Sequence, residues 1–530
     1  MNATNTESSQ SSDSPRKGRS KAGRRRLFLL GAVVVVALIT MGMTALLVNI
    51  LERQQEARDV AFQSTPLDEN SYDPAVWGQN YPEHYAMWQA TTEMVPTEHG
   101  GSRPVQVTMA NGQTRTATES RIEKDPRLVT MWIGYPFSVD YREARGHAYM
   151  LEDQRLTRRV TEFKQPGTCL NCHASTVKIM RELGNGDMNA GFAAMNKMPY
   201  DEATKLAEHP VACIDCHDPK TNQLRVTRPA FQNGMQRLKQ HEGVSNYDVN
   251  KDASPQEMRT FVCAQCHVEY YFKGDTKELT FPWGQGLKVE NIMADSTDHV
   301  DWVYPTTGTK MLKAQHPEFD LSQQGVHASA GVSCADCHMP YKREGAVKLT
   351  DHHIRSPLLM VNNSCQTCHS ASEEEMKGRV KTIQDRFIHT RDVSMDSLMD
   401  LIADLEAAQT NGTPPERIAI ARSYHRKASF LNDYLYSENS YGFHAPGESN
   451  RIFADAIDAA RKGQMALQGK VTEPAEENGP DQSGAAPSPK ANAPGATQQP
   501  TQPATQSPNP TATTGSAPPS PASPAATPTP

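Results

Sequence analysis

The longest apolar run lies near the N-terminus, where the 25 residues from Leu27 to Leu51 carry polar side chains only at Thr40, Thr44 and Asn49. As a helix, that length spans a bilayer. Residues 1–26 are polar and basic, with Arg16, Lys17, Arg19, Lys21, Arg24, Arg25 and Arg26, which predicts that this end stays in the cytoplasm. A cleaved signal peptide would have a shorter apolar core followed by a small-residue cleavage site. No such site follows, so 27–51 reads as an uncleaved transmembrane anchor and the chain beyond it as extracytoplasmic. Residues 52–71 read as a charged juxtamembrane spacer.

Further along, Asp125–Tyr149 mixes short β-like runs with turn residues. The stretches 371–408, 414–440 and 448–468 instead carry apolar residues at helical spacing, for example Met395, Leu398, Met399, Ile402 and Leu405. Asn411, Gly412, Pro414 and Pro415 break the first from the second. Long, partly apolar helices of this kind suit either packing on their own domain or a subunit interface. Residues 471–530 are dominated by Pro, Ala, Thr, Ser and Gln, with no charge after Lys490, and such a tail cannot bury a core. The folded unit is therefore 72–470, mainly α with few short β-strands. A net charge of -7 argues against nucleic acid as a partner.

The ten cysteines change the picture, because all of them fall in five CxxCH motifs. These are Cys169/Cys172/His173, Cys213/Cys216/His217, Cys263/Cys266/His267, Cys334/Cys337/His338 and Cys365/Cys368/His369. Two thiols one helical turn apart can both attach to the vinyl edge of a haem, and the following histidine is placed as an axial ligand. A zinc ribbon, a redox dithiol or a disulfide framework requires no histidine after every pair. The motifs thus predict five covalently bound haem c groups in one domain, spaced 44, 50, 71 and 31 residues apart. Five porphyrins supply much of the buried apolar surface, which lets a chain with 37% apolar residues fold with modest regular structure.

Five irons have ten axial positions and the motif histidines fill five. Thirteen other histidines remain, so counting alone does not reveal whether one iron is left open. The distinction decides function, since a two-histidine haem carries electrons whereas an open one can bind and reduce a substrate.

Longer motifs accompany the pentapeptides: CAQCHVEYYF from Cys263, FPWGQGLKVEN from Phe281, KAQHPEF from Lys313, GVH ending at His327, CADCHMP from Cys334, TDH ending at His352 and FHAP from Phe443. Together they resemble pentahaem cytochrome c nitrite reductase, a periplasmic enzyme that reduces nitrite to ammonium, over about Tyr81 to Ile457. The resemblance implies distal ligands at His147 for the third haem, His352 for the second, His327 for the fifth and His444 for the fourth, with His353 a rival to His352. The first haem is then open. The implied distal pocket is Arg159, Tyr270 and His316, with Arg155 and Arg158 as rivals for the arginine. Arg159 and His316 would supply positive potential and hydrogen bonds, and Tyr270 a phenolic donor. A calcium site is implied at the Glu269 carboxylate, the Tyr270 and Lys313 carbonyls and the Gln315 side chain, all hard oxygen donors.

One departure stands out. Many members of the family have lysine where this chain has His173, and the exchange bears on rate and substrate preference more than on reaction class. The resemblance further implies a homodimer joined by the C-terminal helices and electrons supplied by a quinol-oxidising membrane cytochrome. Two other functions remain open: hydroxylamine or sulfite reduction on the same architecture, and a membrane-anchored electron carrier. The carrier would need His84, His99, His209 or His241 to cap the first haem.

Overall fold

A computed structural model describes residues 21–61, 63–108 and 112–476. Most of the basic N-terminal segment and nearly all of the Pro/Ala-rich tail lie outside these residues. Helices dominate, joined by four two-stranded antiparallel hairpins among the described residues. The mainly α expectation is met.

The hydrophobic run forms part of one helix, Lys21–Ala61. Its segment Phe28–Ile50 is long and apolar enough to cross a membrane and buries nothing against the rest of the described protein. The helix continues to Ala61, so the first part of the expected spacer is helical.

Three long helices close the chain: Glu373–Ala408, Pro415–Ser437 and Pro446–Leu467. The first is capped by Ser372, whose side chain accepts from the Glu375 amide, and Glu373, Glu374 and Glu375 complement the helix dipole in its first turn. Proline opens the other two, where a missing N–H costs nothing. Met395, Leu398, Ile402 and Leu405 are buried against Ile418, Ala421, Ala459 and Ala460. The apolar stripe is thus used within the chain. Residues 471–476 also stay on this bundle, because the Ala475 amide donates to Ser423 and Lys427 donates to the Glu476 carbonyl. The folded part therefore extends a few residues past 470.

Asp125–Tyr149 is not β-like. It forms the short helix Arg127–Met131 and 3-10 turns at Pro136–Ser138 and His147–Tyr149, with only an isolated bridge between Arg142 and Ser120. Its apolar side chains go into tertiary packing: Leu128, Met131 and Trp132 are buried with Trp302, Tyr304 and the C-terminal helices. Burial of large aromatics, worth more than a two-residue ladder, decides the local conformation.

Two hairpins position the residues of interest. Tyr271–Lys273 pairs with Glu278–Thr280 directly after Tyr270, and Trp302–Val303 pairs with Lys310–Met311 just before Lys313.

Candidate active site and haem ligands

The CxxCH segments lie close together in space. Cys172 and Cys266 are close neighbours, as are Cys263 and Cys334. Cys216 lies near Cys263, and Cys337 lies within electrostatic reach of Cys365 and Cys368. The order in space is first, third, fourth, fifth, with the second beside the third. Sequence spacing carried no hint of this order.

The five attachment sites are not equally enclosed. Cys172 is buried and eight of the other motif cysteines are half-buried, but Cys368 is exposed. The reason is its place in the chain. It follows the 3-10 turn Cys365–Thr367 at the outer end of the spatial order, and the exposed residues His369 and Ser370 come directly after it. Among the described residues its thiol accepts only from the adjacent Thr367 hydroxyl, at 3.8 Å. Its amide still donates to the Cys365 carbonyl at 3.2 Å, so the turn that sets the two thiols of the motif is formed. Cys368 thus keeps the geometry of the fifth motif although it is exposed.

Arg228, buried, ties three motifs together. Its Nε donates to the Asn171 carbonyl at 2.8 Å and one terminal nitrogen to the Ala174 carbonyl at 3.0 Å, the first inside the first motif and the second just after it. The other pairs with Asp215 of the second motif at 2.7 Å. Gln265, inside the third motif, accepts from the Thr227 and Arg228 amides.

Four of the five motif histidines face a second imidazole. Ring centres are 6.2 Å apart for His267 and His147, 6.2 Å for His217 and His352, 6.3 Å for His369 and His327, and 6.4 Å for His338 and His444. An iron between two imidazoles separates ring centres by about 6.2 Å, from metal–nitrogen bonds of about 2 Å and about 1.1 Å from nitrogen to ring centre. The pairs fit bis-histidine haem iron. The His267 side chain is 47% accessible, and Glu318 lies 3.8 Å from its Nδ1.

Among the described residues, His173 has no such facing ring. Its Nδ1 bonds the Met150 carbonyl at 3.1 Å, and Arg159 acts on it electrostatically. Of the spare histidines, His84 packs edge-on to His352 with ring centres 4.8 Å apart, His99 pairs with Asp385 at 2.8 Å, and His241 lies by Gly286. His209 offers its backbone carbonyl to Ser175. His353 points toward Glu93 at 3.8 Å, so His352 is the ring that faces His217.

Two glycines make the distal ligands possible. A Cβ on Gly146, next to His147, would fall 1.8 Å from the Thr91 carbonyl oxygen, and one on Gly325 would fall 2.0 Å from that of His444. No other residue fits such backbone approaches.

Around the first motif the structure brings together Arg159, Tyr270 and His316. Arg159 and Tyr270 both act on Cys169, and His316 interacts with His173. Arg159 lies over the Phe137 ring at 4.3 Å, and its Nε donates to Thr157 at 3.2 Å, whose hydroxyl in turn donates to the buried Asp140 at 2.7 Å. The rival arginines point away: Arg155 bonds Thr204 and the Ala207 carbonyl, and Arg158 pairs with Glu162 at 2.6 Å on the surface. Burial pushes the Tyr270 phenol well above its ordinary range, so it stays a proton donor. Burial also holds His316 down at about 4, so at neutral pH this ring offers a hydrogen bond and not the positive charge expected of it.

The implied calcium ligands also converge. Glu269 is buried, and its carboxylate accepts from the Gln315 amide at 2.7 Å. The Gln315 side-chain nitrogen is 3.5 Å from the Lys313 carbonyl, and turning the amide over would set its oxygen there instead. Burial pushes the Glu269 carboxyl well up, a cost that a bound cation would remove. The Lys313 ammonium turns the other way, to Asp433 at 2.8 Å, and Asp433 also accepts from the Ala314 amide and from Trp132. Asp433 and Phe137 were not evident in the sequence, since nothing local marks either.

Fold and histidine geometry together define a multihaem c-type cytochrome. The chain belongs to the cytochrome c552 family, which its residues 73–517 match. A cytochrome c-552 of Parabacteroides distasonis is 36% identical over 449 residues, covering 83% of this chain and 84% of the relative. Another, of Bacteroides fragilis, is 34% identical over 450 residues, covering 83% and 85%. Among solved structures, cytochrome c nitrite reductase from Desulfovibrio desulfuricans, whose catalytic subunit has two calcium sites, matches with a TM-score of 0.66 at 27% identity. That match covers 76% of this chain and 87% of that one. The expected family and fold are borne out.

Proposed function

We propose that this chain reduces nitrite to ammonium at the haem of Cys169 and Cys172, held by His173 and left open on its distal side. The observation that carries the reading is the asymmetry of the histidines: four motif histidines face a second imidazole, whereas among the described residues none faces His173, which has Arg159 and His316 nearby, with Tyr270 near Cys169. The bound haem would supply the iron that takes the nitrogen of nitrite and delivers the electrons. Overall, one nitrite, eight protons and six electrons give one ammonium and two waters.

The protein's part is anion binding and proton supply. Arg159 supplies a fixed guanidinium toward the anion, and Phe137 and Thr157 hold it there. Tyr270 and neutral His316 are placed to donate hydrogen bonds and protons where oxygen leaves. Calcium held by Glu269, the Tyr270 and Lys313 carbonyls and Gln315 would fix Tyr270 and His316 in register, since these residues share its two chain segments. His147, His352, His327 and His444 complete the four relay haems. In this reading Leu27–Leu51 anchors the enzyme outside the cytoplasmic membrane. A quinol-oxidising membrane cytochrome feeds it, and it works as a homodimer.

The test is ammonium production from nitrite by purified holoenzyme with a chemically reduced dye as electron donor. Stoichiometric ammonium and a spectrum of one high-spin and four low-spin haems are expected. Five low-spin haems without turnover would instead make the chain an electron carrier. Removing calcium with a strong chelator, or the substitution Glu269→Gln, is expected to cut turnover about ten- to a hundredfold while all five haems stay attached. Restored activity on adding calcium back to the chelated wild type, but not to the variant, would place the ion at Glu269.

A further inference from the structure

The ligand histidines differ in what holds the ring nitrogen turned away from the iron position. His173, His217, His338 and His352 each bond a backbone carbonyl through Nδ1, at 3.1 Å to Met150, 3.0 Å to Asn222, 3.2 Å to Arg355 and 3.0 Å to Thr350. Two others meet a carboxylate. His444 Nδ1 lies 2.6 Å from Glu438 Oε1, and His267 Nδ1 lies 3.8 Å from Glu318 Oε2.

Both carboxylates are built into place. Glu438 is buried, and its second oxygen accepts from the Ser440 amide and hydroxyl at 3.1 and 2.7 Å. Glu318 accepts from Asn439 on one oxygen, and Asn439 in turn accepts from the buried Arg121 at 2.7 Å. Its other oxygen, Oε2, is buried with no hydrogen bond and is the one nearest His267.

We propose that Glu438 and Glu318 are tuning residues that lower the reduction potentials of the haems at Cys334/Cys337 and Cys263/Cys266. Glu438, within hydrogen-bond reach of His444, makes that imidazole a stronger donor through its other nitrogen, and Glu318, 3.8 Å from His267 and beyond that reach, acts in the same direction through its buried negative charge. Both effects favour the oxidised iron. A neutral carbonyl, the partner of His173, His217, His338 and His352, does so less.

The two tuned positions are the middle of the spatial order, since Cys263 neighbours Cys334 and Cys266 neighbours Cys172. Low potentials there would keep electrons from resting in the middle and favour their delivery to the site of Cys169 and Cys172. Glu318 sits in the turn that carries His316, so one short segment serves both the pocket and the relay.

The inference rests on each facing histidine pair holding a haem. Failure of that reading would show in the wild type as fewer than four low-spin haems, before any variant is compared. The test is a potentiometric titration of holoenzyme, followed optically and by electron paramagnetic resonance, for wild type, Glu438→Gln and Glu318→Gln. Each glutamine keeps the shape and removes the charge. One reduction step should move to more positive potential in each variant, a different step in the two, with four low-spin signals retained. Unchanged steps in a variant that keeps those signals would overturn the proposal. Loss of a low-spin signal in both variants would also overturn it, because the carboxylates would then only hold the ligands. Should Glu438→Gln fail to assemble, Glu318→Gln alone decides.

Discussion

Replacing Arg159 by alanine is expected to lower nitrite turnover about a hundred- to a thousandfold, the loss seen when one preorganised donor is removed from a site of developing charge. Arg159 acts on Cys169 and His173 of the first motif, whereas Lys313 is committed to Asp433 and Arg155 and Arg158 are bonded elsewhere. Its support is unusual in being mostly aromatic. The guanidinium lies 4.3 Å from the Phe137 ring centre, and the Lys313 ammonium lies 4.6 Å from the same centre. A ring face attracts a cation without neutralising it, so Arg159 keeps its charge for the anion. Lysine at 159 would retain charge and lose the planar fork, and should recover only part of the rate. Ammonium formed per unit time with a reduced dye measures all three proteins, with Arg158→Ala, a surface substitution, as control. A turnover in Arg159→Ala within about twofold of wild type would remove this residue from the chemistry, since surface substitutions alone have effects of that size.

Local chemistry made much of this site legible. CxxCH, GVH, TDH and FHAP are short motifs, so the histidines they contain could be named from sequence, and the structure puts His327, His352 and His444 opposite motif histidines. The stripe Met395, Leu398, Ile402 and Leu405 was legible for the same reason, being periodic within one helix. What failed was either too short or too distant. The apolar runs around Trp132 are a few residues each, and periodicity at that length does not separate a strand from a buried turn. The partners that orient the ligands and the pocket are far off in sequence: Lys313 and Asp433 are 120 positions apart and Arg121 and Asn439 are 318 apart. A lone acid or arginine carries no sign of such a partner. The exposure of Cys368 was hidden in the same way, because five identical motifs do not say which one stands at the edge of the array. The charge state of His316 was illegible too, because it follows from burial and not from residue type.

Arg228 is the strongest case of a distant partner, and its loss is expected to be the most damaging to stability. Arg228→Met should destabilise the holoprotein by about 3–5 kcal/mol, the cost of breaking a buried ion pair from one side. Both partners are fully enclosed, with side-chain exposures of 2% and 1%. Asp215 would remain buried with the Ala212 amide at 2.8 Å as a donor but no countercharge. The carbonyls of Asn171 and Ala174 would each lose a donor, and unmet buried acceptors add to the penalty. Denaturation midpoints in guanidinium chloride, followed through the haem absorbance, give the difference. The double variant Arg228→Met, Asp215→Asn separates charge from shape, because it removes the stranded carboxylate while keeping much of the volume. It should be less destabilised than Arg228→Met alone, by an amount that reports the coupling. Because the same guanidinium bridges the first and second motifs, the single variant should also mature with fewer than five haems, although the backbone amide at 228 keeps its bond to Gln265 of the third. A stable, fully loaded Arg228→Met protein would mean that the porphyrins, and not this buried cation, hold the first two motifs together.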